Sequence, residues 1–109
     1  MLKKEYRLNP VLLRSPRNFS CGYFSLKVAK NNLEISRFAF VISKKIDKRA
    51  TSRNSVKRKI RSIIEEMFDK INTGNDFLFY PKEASITATR DQIQEEIENL
   101  FEKNQLLKK

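Results

Sequence analysis

Between Tyr23 and Val28 the chain alternates. Phe24, Leu26 and Val28 fall on one side, and Tyr23, Ser25 and Lys27 on the other, the two-residue period of a strand with one face on a core. Asn31-Asn32 tolerates left-handed backbone and suits a turn. The run Arg37–Ser43 is almost wholly apolar, so a second strand is expected there, covered on both faces and pairing with the first as an antiparallel hairpin. The period then changes. Val56, Ile60, Ile63, Ile64, Met67, Phe68 and Ile71 form the core-facing stripe of a helix expected from about Arg53 to Ile71, with Thr51 or Ser52 as cap and Gly74-Asn75 as breaker. Asp76–Tyr80 reads as a third strand closed by Pro81. Thr89 and Gln92 have capping-box spacing, and open a last helix with Ile93, Ile97, Leu100 and Phe101 on one face. At the other end, Asn9 and Pro10 start a short helix that Ser15-Pro16 stops. The tail from Lys103 is expected to fray. These elements predict one α+β domain over residues 1–109, with helices packed on a small mixed sheet. Phe24, Phe38, Phe40, Phe68, Phe77, Phe79 and Phe101 sit at core spacing.

Charge adds what hydropathy leaves out. Residues 43–61 hold nine bases (Lys44, Lys45, Lys48, Arg49, Arg53, Lys57, Lys59, Arg58 and Arg61) against one acid, Asp47. Such density is tolerable when solvated or facing a polyanion. On the helix wheel Asn54, Lys57, Arg58 and Arg61 form a band beside the apolar stripe, and Lys59 lies off the opposite edge. Cations in the first turns oppose the helix dipole, at roughly 0.3–1 kcal/mol for each exposed charge at low salt. A mixed-sign band would be only the wet face of an amphipathic helix. Bases without nearby acids, joined to the free amides of a helix start, instead suit phosphate oxygens. The whole chain carries +10, yet residues 62–109 hold six bases and ten acids, so the polyanion is expected against the first half and the centre.

Other chemistry is sparse. The sequence has no His, which removes the commonest general base and the usual partner of a cysteine nucleophile. Cys21 stands alone, so neither an internal disulfide nor a thiol zinc cluster forms, and a reducing cytoplasm is the expected location. Gly22 and Gly74 are the only glycines, too few for a phosphate-cradling loop. No apolar run approaches membrane length and there is no Trp to anchor at an interface, so no membrane partner is expected. Nor is DNA expected, since no second short helix precedes the basic one as helix-in-groove binding requires. The chain reads as a binding partner, with no catalytic residue of its own.

Three stretches carry a family resemblance: the basic opening Leu2–Leu8, ending in Arg7-Leu8; the strand Phe40–Ile42 running into Ser43-Lys44-Lys45; and Arg53-Asn54-Ser55-Val56-Lys57-Arg58-Lys59-Ile60-Arg61. The last resembles the signature Arg-Asn-Arg-x-x-Lys-Arg, with a further Arg three residues on, of the bacterial ribonuclease P protein subunit. The resemblance implies a ribosomal protein S5 domain 2-like sandwich with a left-handed βαβ crossover. It implies RNA-binding residues at Ser43, Lys44, Lys45, Lys48, Arg49, Arg53, Asn54, Lys57, Arg58 and Arg61. It also implies a cleft for the 5′ leader of precursor tRNA, to which Phe19, Tyr23, Ser25 and Lys27 are assigned. The partners implied are the catalytic RNA, which with magnesium performs the hydrolysis, and precursor tRNA. Asn54 is the side chain placed to share a magnesium ion with RNA. The chain departs from the signature at its second Arg, which is Ser55 here. The rival reading is a ribosomal or general RNA-binding protein with no cleavage partner.

Overall fold

The computed structural model describes Tyr6 and residues 16–108. The short helix expected around Asn9–Leu13, and the basic opening apart from Tyr6, lie outside the described residues. Four strands form one sheet: β1 (Arg17–Ser20), β2 (Phe24–Lys30), β3 (Arg37–Phe40) and β4 (Asn75–Pro81). Among the described residues the α-helices are α1 (Ala50–Met67), α2 (Ala84–Thr87) and α3 (Arg90–Lys103). The sheet order is β1-β2-β4-β3, antiparallel except for the parallel pair β3–β4.

The expected hairpin between β2 and β3 does not form, because β4 lies between them. The most apolar strand takes the centre: Asp76, Phe77, Leu78 and Phe79 are all buried, whereas β2 buries alternate residues over most of its length. The chain from β2 to β3 wraps around the start of β4. Asn31 N–H donates to the Gly74 carbonyl and Gly74 N–H to the Ile35 carbonyl, with Asn32 at φ 59° and Gly74 at φ 87°. Gly74 suits that turn because a side chain there would be strained in the left-handed region. Buried Asp76 fastens the three strands together. It accepts two hydrogen bonds from the Arg37 guanidinium, at 2.8 and 2.7 Å, and one from Asn31 Nδ2 at 2.8 Å. The same carboxylate raises the pKa of Arg37.

The long helix begins at Ala50, one turn before the expected start, so Thr51 and Ser52 lie within its first turn and the N-cap is Arg49 without a side-chain bond. It ends at Met67 and tightens into a 3-10 turn over Phe68–Lys70. Val56, Ile60, Ile63, Ile64 and Met67 are buried as the periodicity predicts. They join Phe24, Phe38, Phe77, Phe79 and the α3 residues Ile93, Ile97 and Phe101 in one core. The Thr89–Gln92 capping box forms as expected. Two elements escaped the sequence reading: the short edge strand β1 and helix α2.

The tail does not fray through Lys108. Asn104 and Gln105 end α3, with Gln105 at φ 60° and Leu106 N–H returning to the Phe101 carbonyl, a Schellman closure. Leu106 is 1% exposed, and Leu107 bridges to Ile71. Leu106→Ala is therefore expected to lower the unfolding free energy in urea by about 2–5 kcal/mol. A loose tail would register under about 0.5 kcal/mol.

Candidate nucleic-acid interface

The basic stretch is held from below. Ile42 is buried and Ile46 half-buried against the core, so the loop leaving β3 is pinned at two points. Ser43 closes it locally: its Oγ accepts from Lys45 N–H at 2.9 Å and its carbonyl from Ile46 N–H at 3.0 Å. Ser43 thus orders the loop, while Lys44, Lys45 and Lys48 project from it, exposed. Asp47 lies just before the helix, where its charge suits the dipole. It accepts from Arg49 N–H at 2.8 Å and pairs with the Arg49 guanidinium at 3.1 Å. Those bonds hold the Asp47 carboxyl below the usual carboxylate range. Arg49 is therefore part-neutralised, unlike its neighbours.

Arg53 points back to the loop, and its Nη1 donates to the Asp47 and Lys48 carbonyls at 2.8 and 2.9 Å. One turn on stands half-buried Lys57, and one turn beyond that Arg61, whose guanidinium lies 5.5 Å from the centre of the Phe40 ring. Asn54, Ser55 and Arg58 are exposed alongside. Arg53 ties the helix to the loop, and Arg61 ties it to the end of β3, so the basic turns and the loop lysines are held side by side. The Arg49–Asp47 ion pair touches this surface. Arg90 of α3 pairs instead with Glu66 farther along α1, and holds the Glu66 carboxyl below its usual range.

Lys59 serves another purpose. Its Nζ donates to the Ala88 carbonyl at 2.8 Å and, more weakly, to that of Ser85, tying α1 to the end of α2. It does not stand in for the cation missing at Ser55.

The four residues assigned to a leader cleft do not share a face. Ser25 and Lys27 lie on the sheet face away from the helices, opposite Tyr80 and Leu78 in the β2–β4 register, with Lys27 Nζ 5.7 Å from the centre of the Tyr80 ring. Phe19 and Tyr23 pack against the helix-side core. The physical reason is register: Phe19 pairs with Leu26, whose side chain is in the core. Tyr80 and Leu78, with Ala39, therefore complete the face that Ser25 and Lys27 begin. The β2 alternation was the available signal; Tyr80, like Tyr23, could be read from the sequence as a ring able to stack on a nucleotide, but only the strand order sets it beside Ser25 and Lys27.

Two expected outcomes follow from these contacts. Lys59→Met should lower stability by about 1–2 kcal/mol and leave the salt slope of heparin binding unchanged, while Lys57→Ala should flatten that slope. In a carboxyl-detected NMR titration Asp47 should titrate below an ordinary aspartate, and Arg49→Ala should bring it back up. Because the folded pKa is lowered, the pair stabilises the fold above the ordinary aspartate pKa, and that contribution vanishes as pH falls through the lowered value.

Comparisons with known proteins give the family and the fold. The family described as Ribonuclease P matches residues 1–105. A ribonuclease P protein component from Clostridioides difficile is 31% identical over 106 residues, covering 96% of this chain and 91% of that one. One from Fusobacterium nucleatum is 32% identical over 94 residues, covering 83% and 80%. The solved RNase P protein from Thermotoga maritima superposes with a TM-score of 0.78 at 25% identity, over 86% of this chain and 93% of that one. A Staphylococcus aureus RNase P protein, at 22% identity and a TM-score of 0.81 over 94% and 98%, shares the fold. The chain belongs to the ribonuclease P protein family.

Proposed function

We propose that this chain is the protein subunit of ribonuclease P, an endoribonuclease particle in which it binds the catalytic RNA and assists removal of the 5′ leader from precursor tRNA. The observation that carries this reading is the braced band Arg53–Asn54–Lys57–Arg58–Arg61, part exposed and part half-buried, with the exposed loop lysines beside it. It presents cations in the first turns of a helix, braced by the Arg53 hydrogen bonds and the Arg61–Phe40 contact. Lys44, Lys45, Lys48, Lys57 and Arg58 take phosphates; Arg49 joins them while also pairing with Asp47. Ser43 and Arg53 hold the surface in shape.

The leader strand is assigned to the opposite sheet face, where Ser25 and Lys27 lie beside Tyr80. There a cation and a ring already in contact offer both charge and stacking to a single strand.

The chemistry belongs to the RNA. The chain's donors do not fit a magnesium ion held by protein: Asn54 is a neutral amide among Arg53, Lys57 and Arg58, and among the described residues no group of three His, Cys, Asp or Glu could hold a metal. Magnesium enters with RNA phosphates, and Asn54 contributes only beside them. Among the described residues no helix is long and apolar enough to cross a membrane, and the cytoplasm, where precursor tRNA is made, is the proposed location.

The test mixes the chain with its host's catalytic RNA and precursor tRNA. Cleavage at low magnesium should exceed that of RNA alone, and equal rates would leave a general RNA-binding protein. Lys57→Ala with Arg58→Ala should flatten the log–log salt dependence of RNA binding by up to about 0.7–0.9 per lost phosphate contact. An unchanged slope would move the interface off α1.

A further inference from the structure

Arg61 differs from the other cations of the band in how it is held. Its guanidinium lies over the ring of Phe40, which is half-buried at the end of β3. The Phe40 ring is itself stacked on fully buried Phe79, 5.5 Å between centroids and 16° between planes. Phe79 lies 6.4 Å from Phe101 at 22°. A column of rings thus rises from the core and ends under one guanidinium. Arg61 is half-exposed. A guanidinium resting on a ring is planar and restrained. Such restraint costs it freedom to follow a phosphate and lowers the cost of presenting its planar face to a base. Arg53 is instead turned back to the loop, with its Nη1 spent on two carbonyls, and Lys57 is a point charge with no face to stack on.

We propose, resting on the RNA-binding reading above, that Arg61 receives an unpaired RNA base on its open face, and that Phe40 is the positioning residue that holds that face. The neighbouring lysines and Arg58 then take phosphates, so one surface reads backbone along most of its length and an unstacked base at its Arg61 end. This also gives Phe40 a role that its core spacing conceals. A leucine at position 40 would fill much of the same space but would lack the ring quadrupole that attracts the cation.

The experiment measures binding of a 12-nucleotide oligoadenosine single strand and of a 12-base-pair RNA duplex over a range of salt. The proteins are the unmodified chain, Arg61→Lys, Phe40→Tyr, Phe40→Leu and Arg61→Lys with Phe40→Leu. Stacking of one base corresponds to about fivefold or more in affinity. Arg61→Lys should therefore weaken the single strand by about fivefold or more at unchanged salt slope, because the charge is kept, and the duplex by less than about twofold. Phe40→Tyr should bind as the unmodified chain does. Phe40→Leu should weaken single-strand binding, and should add no further loss in the Arg61→Lys background. The proposal is overturned if Arg61→Lys binds the single strand normally, if it weakens strand and duplex alike, or if the Phe40→Leu loss is the same in both backgrounds. Should circular dichroism show Phe40→Leu unfolded, the strand-against-duplex contrast of Arg61→Lys decides alone. Failure of the broader reading looks different: the unmodified chain would leave both oligomers and the host's catalytic RNA unbound.

Discussion

The apolar underside of α1 is what allows so much like charge to be gathered in one place. Val56, Ile60, Ile63, Ile64 and Met67 are all at most 4% exposed. At about 1.5–3 kcal/mol for each buried side chain, they contribute on the order of 8–15 kcal/mol before chain entropy. The cations near the helix start oppose the dipole by at most roughly 0.3–1 kcal/mol each at low salt, an effect that fades beyond the first turn. Burial wins, and the upper face is left free to repel itself until a polyanion arrives. Asp47, the single acid of the stretch, relieves part of that strain at the helix start and does so by engaging Arg49, not the cations of the helix band.

Topology then determines where the charge stands. Because β3 and β4 are parallel, the chain must cross over between them, and α1 is that crossover. The loop leaving β3 and the first turns of α1 are consecutive along the crossover, so their cations form one surface without any long-range contact being needed to assemble it. Asp76 guards this arrangement from the far end of the sheet, by joining the exit of β2, the start of β3 and the start of β4. Beyond the basic turns the charges pair across the helices, Glu66 of α1 with Arg90 of α3.

Local periodicity and pairwise topology were not equally legible. The α1 stripe, the Thr89–Gln92 box and the central basic band follow from residue spacing, which neighbouring turns of one helix alone determine. The strand order did not follow, because whether β3 sits beside β2 or beyond β4 depends on which strand is apolar on both faces. Asp76–Tyr80 shows that only when its partners are known. The same gap split the leader residues. Phe19 was assigned to the cleft before β1 was recognised as a strand, and its register with Leu26 turns it into the core. Lys59 lay off the band on the wheel, yet its two carbonyl acceptors belong to α2 and its C-terminal end, absent from any periodic pattern. Leu106 and Leu107 looked like a loose tail because their partners, the core and Ile71, are distant in sequence.

Lysine acetylation footprinting of the chain, with and without the host's catalytic RNA, tests the central claim most directly. The account requires protection of Lys44, Lys45, Lys48 and Lys57, with Lys70, Lys103 and Lys108 modified as readily in the complex as in the free protein. Protection of the last three, with the first four still open to reagent, would put the RNA on the wrong side of the molecule and contradict it.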